Sequence, residues 1–431
     1  MKRTLYGIVL ISVLVWIISL IVSPPARWDV WQIRQQFILV TGIIAFGNMS
    51  LIMLLAARPQ WMENFFGGLD KMYILHKWGG ILSIIFGGIH YLIDLSGPNL
   101  LSIFFGISPH REDFFYGLAE NLGEWVVGFL LVSLALTLWT KLSYYIWRYV
   151  HKLMSIAFLI LVFHAIVLSP VSYWTQPAGI FIGLCCLVGS VSALISLFGL
   201  IGKQNTFKGE IIDLKNLNSS IIEIVCKVEG NWKHTAGQYV FFKHNKTKEA
   251  HPFTLASADK DDGVVHLCVK DLGDYTHRLQ TCLRTGDLVT IEGPYGRFDF
   301  RKNLNPKQIW IAAGIGVTPF IAWLESLEND PNREQYDVDL YYCVNNEKEA
   351  VFGERLRSLT ELFFNIRLHL YYSDEKGFLT LDHLDITKNK EGDYPPVWFC
   401  GPEGFADFLK HALIKKGLPK KIFHRELFRM R

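Results

Sequence analysis

Six apolar stretches, at roughly 5–23, 36–56, 74–93, 122–139, 150–170 and 177–201, restrict the first half of this 431-residue chain to one kind of fold. Each is close to the 20 or so residues a helix needs to cross a hydrocarbon core, where backbone polar groups must find their partners within the segment. Residues 1–202 are therefore expected to form a six-helix membrane bundle. The charges sort the same way: of 43 Lys and Arg and 40 Asp and Glu, 19 lie before residue 202 and 64 after it. The second half is long enough for two ordinary water-soluble domains, expected at 203–300 and 301–431.

Loop charges set the expected orientation. Lys2 and Arg3 precede the first stretch; Arg58, Lys71 and Lys77 lie between the second and third or at their borders. Lys141, Arg148 and Lys152 follow the fourth, and Lys203 and Lys208 the sixth. Only Arg27, Arg34 and Arg111 lie on the other side. The positive-inside rule puts the N-terminus and the soluble half in the cytoplasm, with the chain multi-pass in a cell (inner) membrane. Ser23-Pro24-Pro25-Ala26 is a poor cleavage site, so the first run reads as an uncleaved span rather than a signal peptide. The segment from Asp94 to Glu124 reads as an interfacial loop with amphipathic pieces. The net charge of +3 lies wholly in the first half, 11 basic against 8 acidic residues, so the soluble half is neutral and nucleic acid is an unexpected partner. Seven cysteines at 185, 186, 226, 268, 282, 343 and 400 form no Cys-x-x-Cys, so reduced thiols are the default.

Four histidines fall inside spans, His76 and His90 in the third, His151 and His164 in the fifth. An ionisable side chain in a span is costly, and an interhelical hydrogen bond explains any one of them. Two pairs on two helices running in the same direction call for more. Their spacings of 14 and 13 residues correspond to roughly 21 and 20 Å of helix, so two layers of paired imidazoles can form. Opposed imidazoles suit a six-coordinate haem iron that passes electrons, and no attachment motif is present, so two b-type haems are expected. A metal pathway or proton relay is the alternative. Fourteen steps return a helix to within about 40° of its starting face, but 13 leave it about 140° away, so the fifth span needs a bulge, kink or tilt. Phe158, on the face of His151, is a candidate for the space between the haems, or an ordinary packed aromatic.

Short alternating runs, Gly209 to Leu214, Ile221 to Val228, Gln238 to Lys243, Val264 to Val269 and Asp287 to Glu292, predict a small antiparallel barrel. From about residue 308 buried strands alternate with helices: Gln308 to Ala312 then Thr318 to Leu327, Val338 to Val344 then Gly353 to Leu362, Ile366 to Tyr372, and Val397 to Cys400 then Phe405 to Lys416. That alternation predicts a parallel sheet with crossover helices. Ala313-Gly314-Ile315-Gly316-Val317-Thr318-Pro319 stands between strand and helix, where glycines let backbone amides approach a phosphate. Cys400-Gly401-Pro402-Glu403 follows the last buried strand, and the two turns could flank one ligand.

His251-Pro252-Phe253-Thr254, Lys270 to Thr276, Gly293-Pro294-Tyr295-Gly296, Ala313 to Phe320 and Cys400-Gly401-Pro402, in that order behind six spans with paired histidines, resemble the NADPH oxidase and ferric reductase superfamily. The match covers nearly the whole chain and looks most like the compact prokaryotic NADPH oxidases, with no calcium-binding extension and no regulatory protein evident. The resemblance implies a ferredoxin-NADP reductase-like module, an FAD-binding β-barrel followed by an α/β nucleotide domain, behind a ferric-reductase-like membrane domain. It implies that Phe253 stacks on the isoalloxazine, with Pro252 in the same FAD-binding motif, Thr254 near the reactive edge and His251 toward the pyrophosphate. Ser257, Lys270, Gly273 and Thr276 would complete the FAD site. Gly314, Gly316, Thr318 and Pro319 would form the pyridine-nucleotide diphosphate turn, and Cys400, Gly401 and Pro402 the nicotinamide pocket. Phe428 would cover the flavin and move aside for nicotinamide, although Arg429 to Arg431 follow it. Plainer readings stay open: Phe253 as a barrel-core aromatic, Thr276 as a cap, Cys400 packed behind the sheet and Phe428 as an anchor.

The implied activity is hydride transfer from NADPH or NADH to FAD, then single-electron steps through the His76/His151 and His90/His164 haems to dioxygen outside, giving superoxide. A transmembrane ferric or cupric reductase acting on metal chelates, a donor to a periplasmic redox partner, and a haem-binding scaffold without catalysis are the rivals. Arg34, Asp94 and His110 lie near the outer face as candidates for an acceptor site or as ordinary interfacial residues. Relatives selecting NADPH often carry an arginine about three residues after Tyr341-Tyr342; here Cys343-Val344-Asn345-Asn346-Glu347 follows, with Lys348 the nearest cation.

Overall fold

In lipid an apolar run must close its own backbone hydrogen bonds, and the first half does so as helices. The structure, a computed structural model, describes residues 2–96, 114–139, 144–245, 247, 249–389 and 392–426. Its helices are α1 (Lys2–Val22), α2 (Val30–Ala57), α3 (Gln60–Phe66), α4 (Leu69–Ser96), α5 (Phe114–Leu138), α6 (Tyr144–Lys152), α7 (Met154–Leu168) and α8 (Pro177–Leu197). Six stretches are long and apolar enough to cross a membrane, with α6 and α7 together supplying one of them, Ile146–Leu168.

Helix α2 starts where Asp29 Oδ1 accepts from Gln32 N at 2.9 Å and ends at Arg58. It is the most enclosed span, and its Phe46, Met49 and Met53 pack with Phe158 and Ile182 of α7 and α8. Phe46 and Phe158 lie face to face, ring centroids 5.4 Å apart. Arg34 of α2 pairs with Asp94 of α4 at 3.0 Å and donates to the carbonyls of Ile93 and Asp94, tying the start of one helix to the end of the other. The helix expected to begin near 122 begins at Phe114, so Phe114, Phe115, Glu120 and Glu124 belong to α5 and not to an interfacial loop. His110 lies outside the described residues.

The chain divides into two compact units between Gly202 and Lys203. In the second, β1 (Thr206–Asn216), β2 (Ile221–Val228), β3 (Tyr239–His244), β4 (His251–Thr254), β5 (Val264–Lys270) and β6 (Leu288–Tyr295) form one antiparallel sheet in the order β4-β3-β6-β1-β2-β5. A bridge between Leu255 and Leu267 brings the two edges together, so the sheet is a near-closed barrel around Ile211, Ile224, Phe242 and Leu267. Helix α9 (Asp274–Cys282) lies between β5 and β6.

The following parallel sheet runs β11-β10-β7-β8-β9, from β7 (Lys307–Ala313), β8 (Asp337–Val344), β9 (Ile366–Tyr372), β10 (Val397–Cys400) and β11 (Phe423–Arg425). Helices α10 (Thr318–Leu327), α11 (Gly353–Thr360) and α12 (Glu403–Lys415) cover it. Strand β7 is central, with Ile309 and Ile311 entering one core and Trp310 and Ala312 the other, which is why residues 309–313 are all apolar.

An ion-pair network joins barrel and sheet. Arg355 of α11 donates to Glu223 of β2 at 2.9 Å and to Glu325 of α10 at 2.7 Å, His266 Nδ1 donates to Glu223 at 3.0 Å, and Ala258 N donates to Glu325 at 3.1 Å. The hydrogen bond from His266, then the Arg355 charge, outweigh burial and hold the Glu223 carboxyl down at about 2. That depression contributes stability above the ordinary value of 4.5, lost as pH falls toward about 2. Arg355→Met removes the cation shared by the buried Glu223 and largely buried Glu325 carboxylates, leaving them only His266 and Ala258 N, and is expected to cost about 1.5–3 kcal/mol. A lowered thermal midpoint at pH 7, shrinking against wild type as pH falls through that window, is the expected result; an unchanged midpoint contradicts it.

Candidate functional site

Both histidine pairs come together across α4 and the α6–α7 span. Ring centroids of His76 and His151 are 6.0 Å apart, and those of His90 and His164 are 6.1 Å apart. Three of the four are held from behind by backbone: His76 Nδ1 donates to Ile52 O at 3.0 Å, His90 Nδ1 to Ile38 O at 2.9 Å, and His164 Nδ1 to Ala119 O at 2.8 Å. With the proton on Nδ1, Nε2 carries the lone pair. His151 differs, since its buried Nδ1 has no partner and its ring stacks on Trp147 at 4.8 Å.

The helical interruption that a 13-residue spacing demands lies at Leu153, between α6 and α7. It turns His151 and His164 toward one side of the span. Gly123 supplies the room at the second pair: a Cβ there would stand 2.6 Å from His164 Nδ1. A partly open cleft surrounds His90 and His164 and reaches Phe46 and the acidic side chains Asp94, Glu120 and Glu124. Among the described residues no three His, Cys, Asp or Glu side chains converge as a metal cage. Phe158 is fully buried against Phe46, at a level between the two pairs along its span.

In the barrel, β4 carries His251 to Thr254, and Tyr275 of α9 stacks on His251 with centroids 3.5 Å apart, so the two stretches expected to bind FAD meet. Phe253 is half-buried, edge-on to Phe242. Thr276 Oγ1 accepts from Leu272 N and Gly273 N and donates to Gly273 O, the capping role left open for it. Ser257 is buried, its hydroxyl accepting from His266 N at 3.2 Å and its carbonyl from His234 Nε2 at 3.0 Å. Lys270 ends β5.

In the parallel sheet, Gly314 to Val317 form a tight turn into α10, where Thr318 and Pro319 open the helix. Gly316 lies so close to the Cys400 carbonyl that no Cβ fits between them, so the turns after β7 and β10 are in direct contact. Gly401 and Pro402 continue the second turn into α12. The Cys400 thiol is fully enclosed in the core, and burial, with Glu426 adding to it, pushes its pKa well up. Glu426 also lies against Gly296 of the barrel; Phe428 is outside the described residues.

Three family models match in succession: the ferric reductase like transmembrane component over residues 41–162, the FAD-binding domain over 206–299 and the oxidoreductase NAD-binding domain over 310–411. The chain has the NADPH oxidase and ferric reductase architecture. It is 31% identical to a superoxide-generating NADPH oxidase heavy chain from Dictyostelium discoideum over 202 residues, 42% of this chain and 37% of that protein. It is 26% identical to the phenol hydroxylase P5 protein of Acinetobacter pittii over 234 residues, 52% of this chain and 65% of that one. The chain thus spans about two thirds or less of these curated relatives. A flavohemoglobin structure from Malassezia yamatoensis aligns over 92% of this chain and 98% of its own with a TM-score of 0.50 and 18% identity, a likeness of fold alone.

Within that architecture, an oxidoreductase with FAD- and NAD(P)-binding domains behind a multi-pass membrane domain, sequence reasoning missed three features of the candidate site. The carbonyls of Ile38, Ile52 and Ala119 have no side-chain signature. Gly123 looks like any other small residue of a membrane helix, and Tyr275 is one more aromatic until β4 and α9 are seen together. Gly316→Val drives the two nucleotide turns apart and is expected to abolish bleaching of the flavin by pyridine nucleotide while FAD content stays normal. Unimpaired bleaching contradicts the assignment of these turns.

Proposed function

We propose that this chain carries electrons from NAD(P)H through FAD and two b-type haems across a membrane to dioxygen, forming superoxide. The observation that carries the reading is the doubled imidazole pair. Two nitrogens about 2 Å from one metal place their rings about 6 Å apart centre to centre, the separation measured at both levels. Each pair supplies two ligands only, which suits a metal whose other positions belong to a macrocycle. His76 and His151 would hold one haem and His90 and His164 the other, each giving an iron that takes and passes single electrons. The carbonyls of Ile52, Ile38 and Ala119 fix the tautomer and keep the ring planes from turning.

FAD accepts a two-electron hydride and releases electrons singly, which a nicotinamide cannot do. His251, Pro252, Phe253 and Thr254 form one wall of its site, with Lys270 and the α9 N-terminus at Gly273 and Thr276 toward its phosphates. Ser257 supports that wall from within the barrel. Gly314, Gly316, Thr318 and Pro319 receive the diphosphate of the nucleotide. Gly401, Pro402 and the backbone of Cys400 border the nicotinamide, and Phe428 shields the flavin. Loop charges favour a cell membrane with both termini and the domains 203–300 and 301–431 in the cytoplasm, behind a membrane domain of residues 1–202.

A second reading, reduction of ferric or cupric chelates, is favoured by the matched ferric reductase like component and by Asp94, Glu120 and Glu124 lining the cleft beside His90 and His164. Protein purified in detergent with FAD separates the two. Dismutase-sensitive cytochrome c reduction that matches nucleotide consumed in air is expected; slow aerobic turnover with fast anaerobic iron reduction contradicts the oxidase. His164→Ala is expected to lose about half of the b-type haem absorbance, one ligand pair of two. Unchanged haem content contradicts the outer site.

A further inference from the structure

We propose that the nucleotide site selects NADH over NADPH through the carboxylate of Glu349, supported by Asp374, an inference that rests on the hydride-donor role given above. The sheet order β10-β7-β8 sets three carboxyl-end turns in a row. The middle one, Gly314 to Val317 before the ten-residue α10, is where a diphosphate fits. On the β10 side, Cys400 touches Gly316, and Glu426 next to Cys400 lies against Gly296 of the flavin barrel. The nicotinamide, which must reach the flavin, belongs on that side, and the adenosine on the other, over the end of β8. Ala313 pairs with Cys343, so Asn345 and Asn346 stand directly beside the glycine turn.

Two carboxylates are fixed there. Asn345 Nδ2 donates to both oxygens of Glu349, at 3.1 and 3.0 Å, and Asn346 Nδ2 donates to Asp374 Oδ2 at 3.0 Å. Asp374 N donates to Asn345 O at 2.9 Å, and Ser373 Oγ to Asn345 Oδ1 at 3.3 Å, so the turns after β8 and β9 are laced together. Each carboxylate is thereby held without a cation and keeps acceptor capacity for a further donor.

A ribose 2′-hydroxyl is such a donor, whereas a 2′-phosphate brings about two negative charges and needs an arginine or lysine. Along 345–349 and 373–376 the acids are Glu347, Glu349, Asp374 and Glu375, against Lys348 and Lys376. Lys376 stands over the Tyr371 ring at 5.7 Å. Neighbouring arginines are committed elsewhere: Arg355 to Glu223 and Glu325, Arg357 to Glu354, and Arg367 to Asp337 and Asp339.

The test is anaerobic bleaching of the bound flavin in the full-length protein, a half-reaction independent of haem and of the final acceptor. At limiting concentrations NADH should bleach it at least about tenfold faster than NADPH, the ratio one charge-assisted hydrogen bond supplies. Glu349→Gln, with flavin content unchanged, should bring the two rates to within about threefold of each other, and AMP should compete with NADH where 2′-phospho-AMP does not. Equal or faster bleaching by NADPH in the wild type, or an unaltered ratio in Glu349→Gln, overturns the inference. Bleaching by neither nucleotide overturns the donor reading itself and this inference with it.

Discussion

An imidazole inside an apolar bundle is costly unless its polar atoms are answered, and the arrangement of the membrane half follows from answering them. Ile38 and Ile52 of α2 are 14 residues apart, as are His76 and His90 on the antiparallel α4, so one helix receives two Nδ1 protons at two levels. Helix α5 repeats the contact once, through Ala119 and His164. The break at Leu153 then lets His151 and His164 face α4 from one span. On His76, His90 and His164 the backbone bond leaves Nε2 with the lone pair, His151 lacks such a bond, and each ring lies about 6 Å from its partner.

The soluble half obeys a different constraint, the need to bring distant turns to one place. A parallel sheet does this by putting every strand's carboxyl end on the same edge, where the glycine turn after β7, the Cys400 turn after β10 and the asparagines after β8 become neighbours. The barrel does it by near closure, which carries β4 beside the start of α9. Arg355 links the two by answering a carboxylate from each.

Much of this was legible in the chain. Apolar length marked six spans, period-two runs marked the barrel, and buried strands followed by helices marked the parallel sheet. The misfit between 14- and 13-residue spacings even located the need for a break between His151 and His164. What escaped reading was what side-chain identity does not encode. Strand β4 is four residues with a proline, and β11 three, too short for an alternating pattern. Glu120 and Glu124, read as loop residues, lie within helix α5 and line a cleft. Carbonyl partners are invisible by nature, since every residue has one. The hydrogen bond from Asn346 to Asp374 depends on two turns 28 residues apart meeting at one sheet edge. Ser257 and Thr276, singled out from family resemblance, spend their hydroxyls on backbone groups of the barrel.

The central claim is that the paired histidines hold two haems that take up electrons from the flavin. Rapid mixing of the purified, FAD-loaded protein with NADH under anaerobic conditions tests it most directly, with flavin and haem bands followed together and haem counted against protein. The account predicts two haems per chain and haem reduction that follows flavin reduction. A flavin that is reduced while no haem band develops, or a chain that binds no haem, contradicts it.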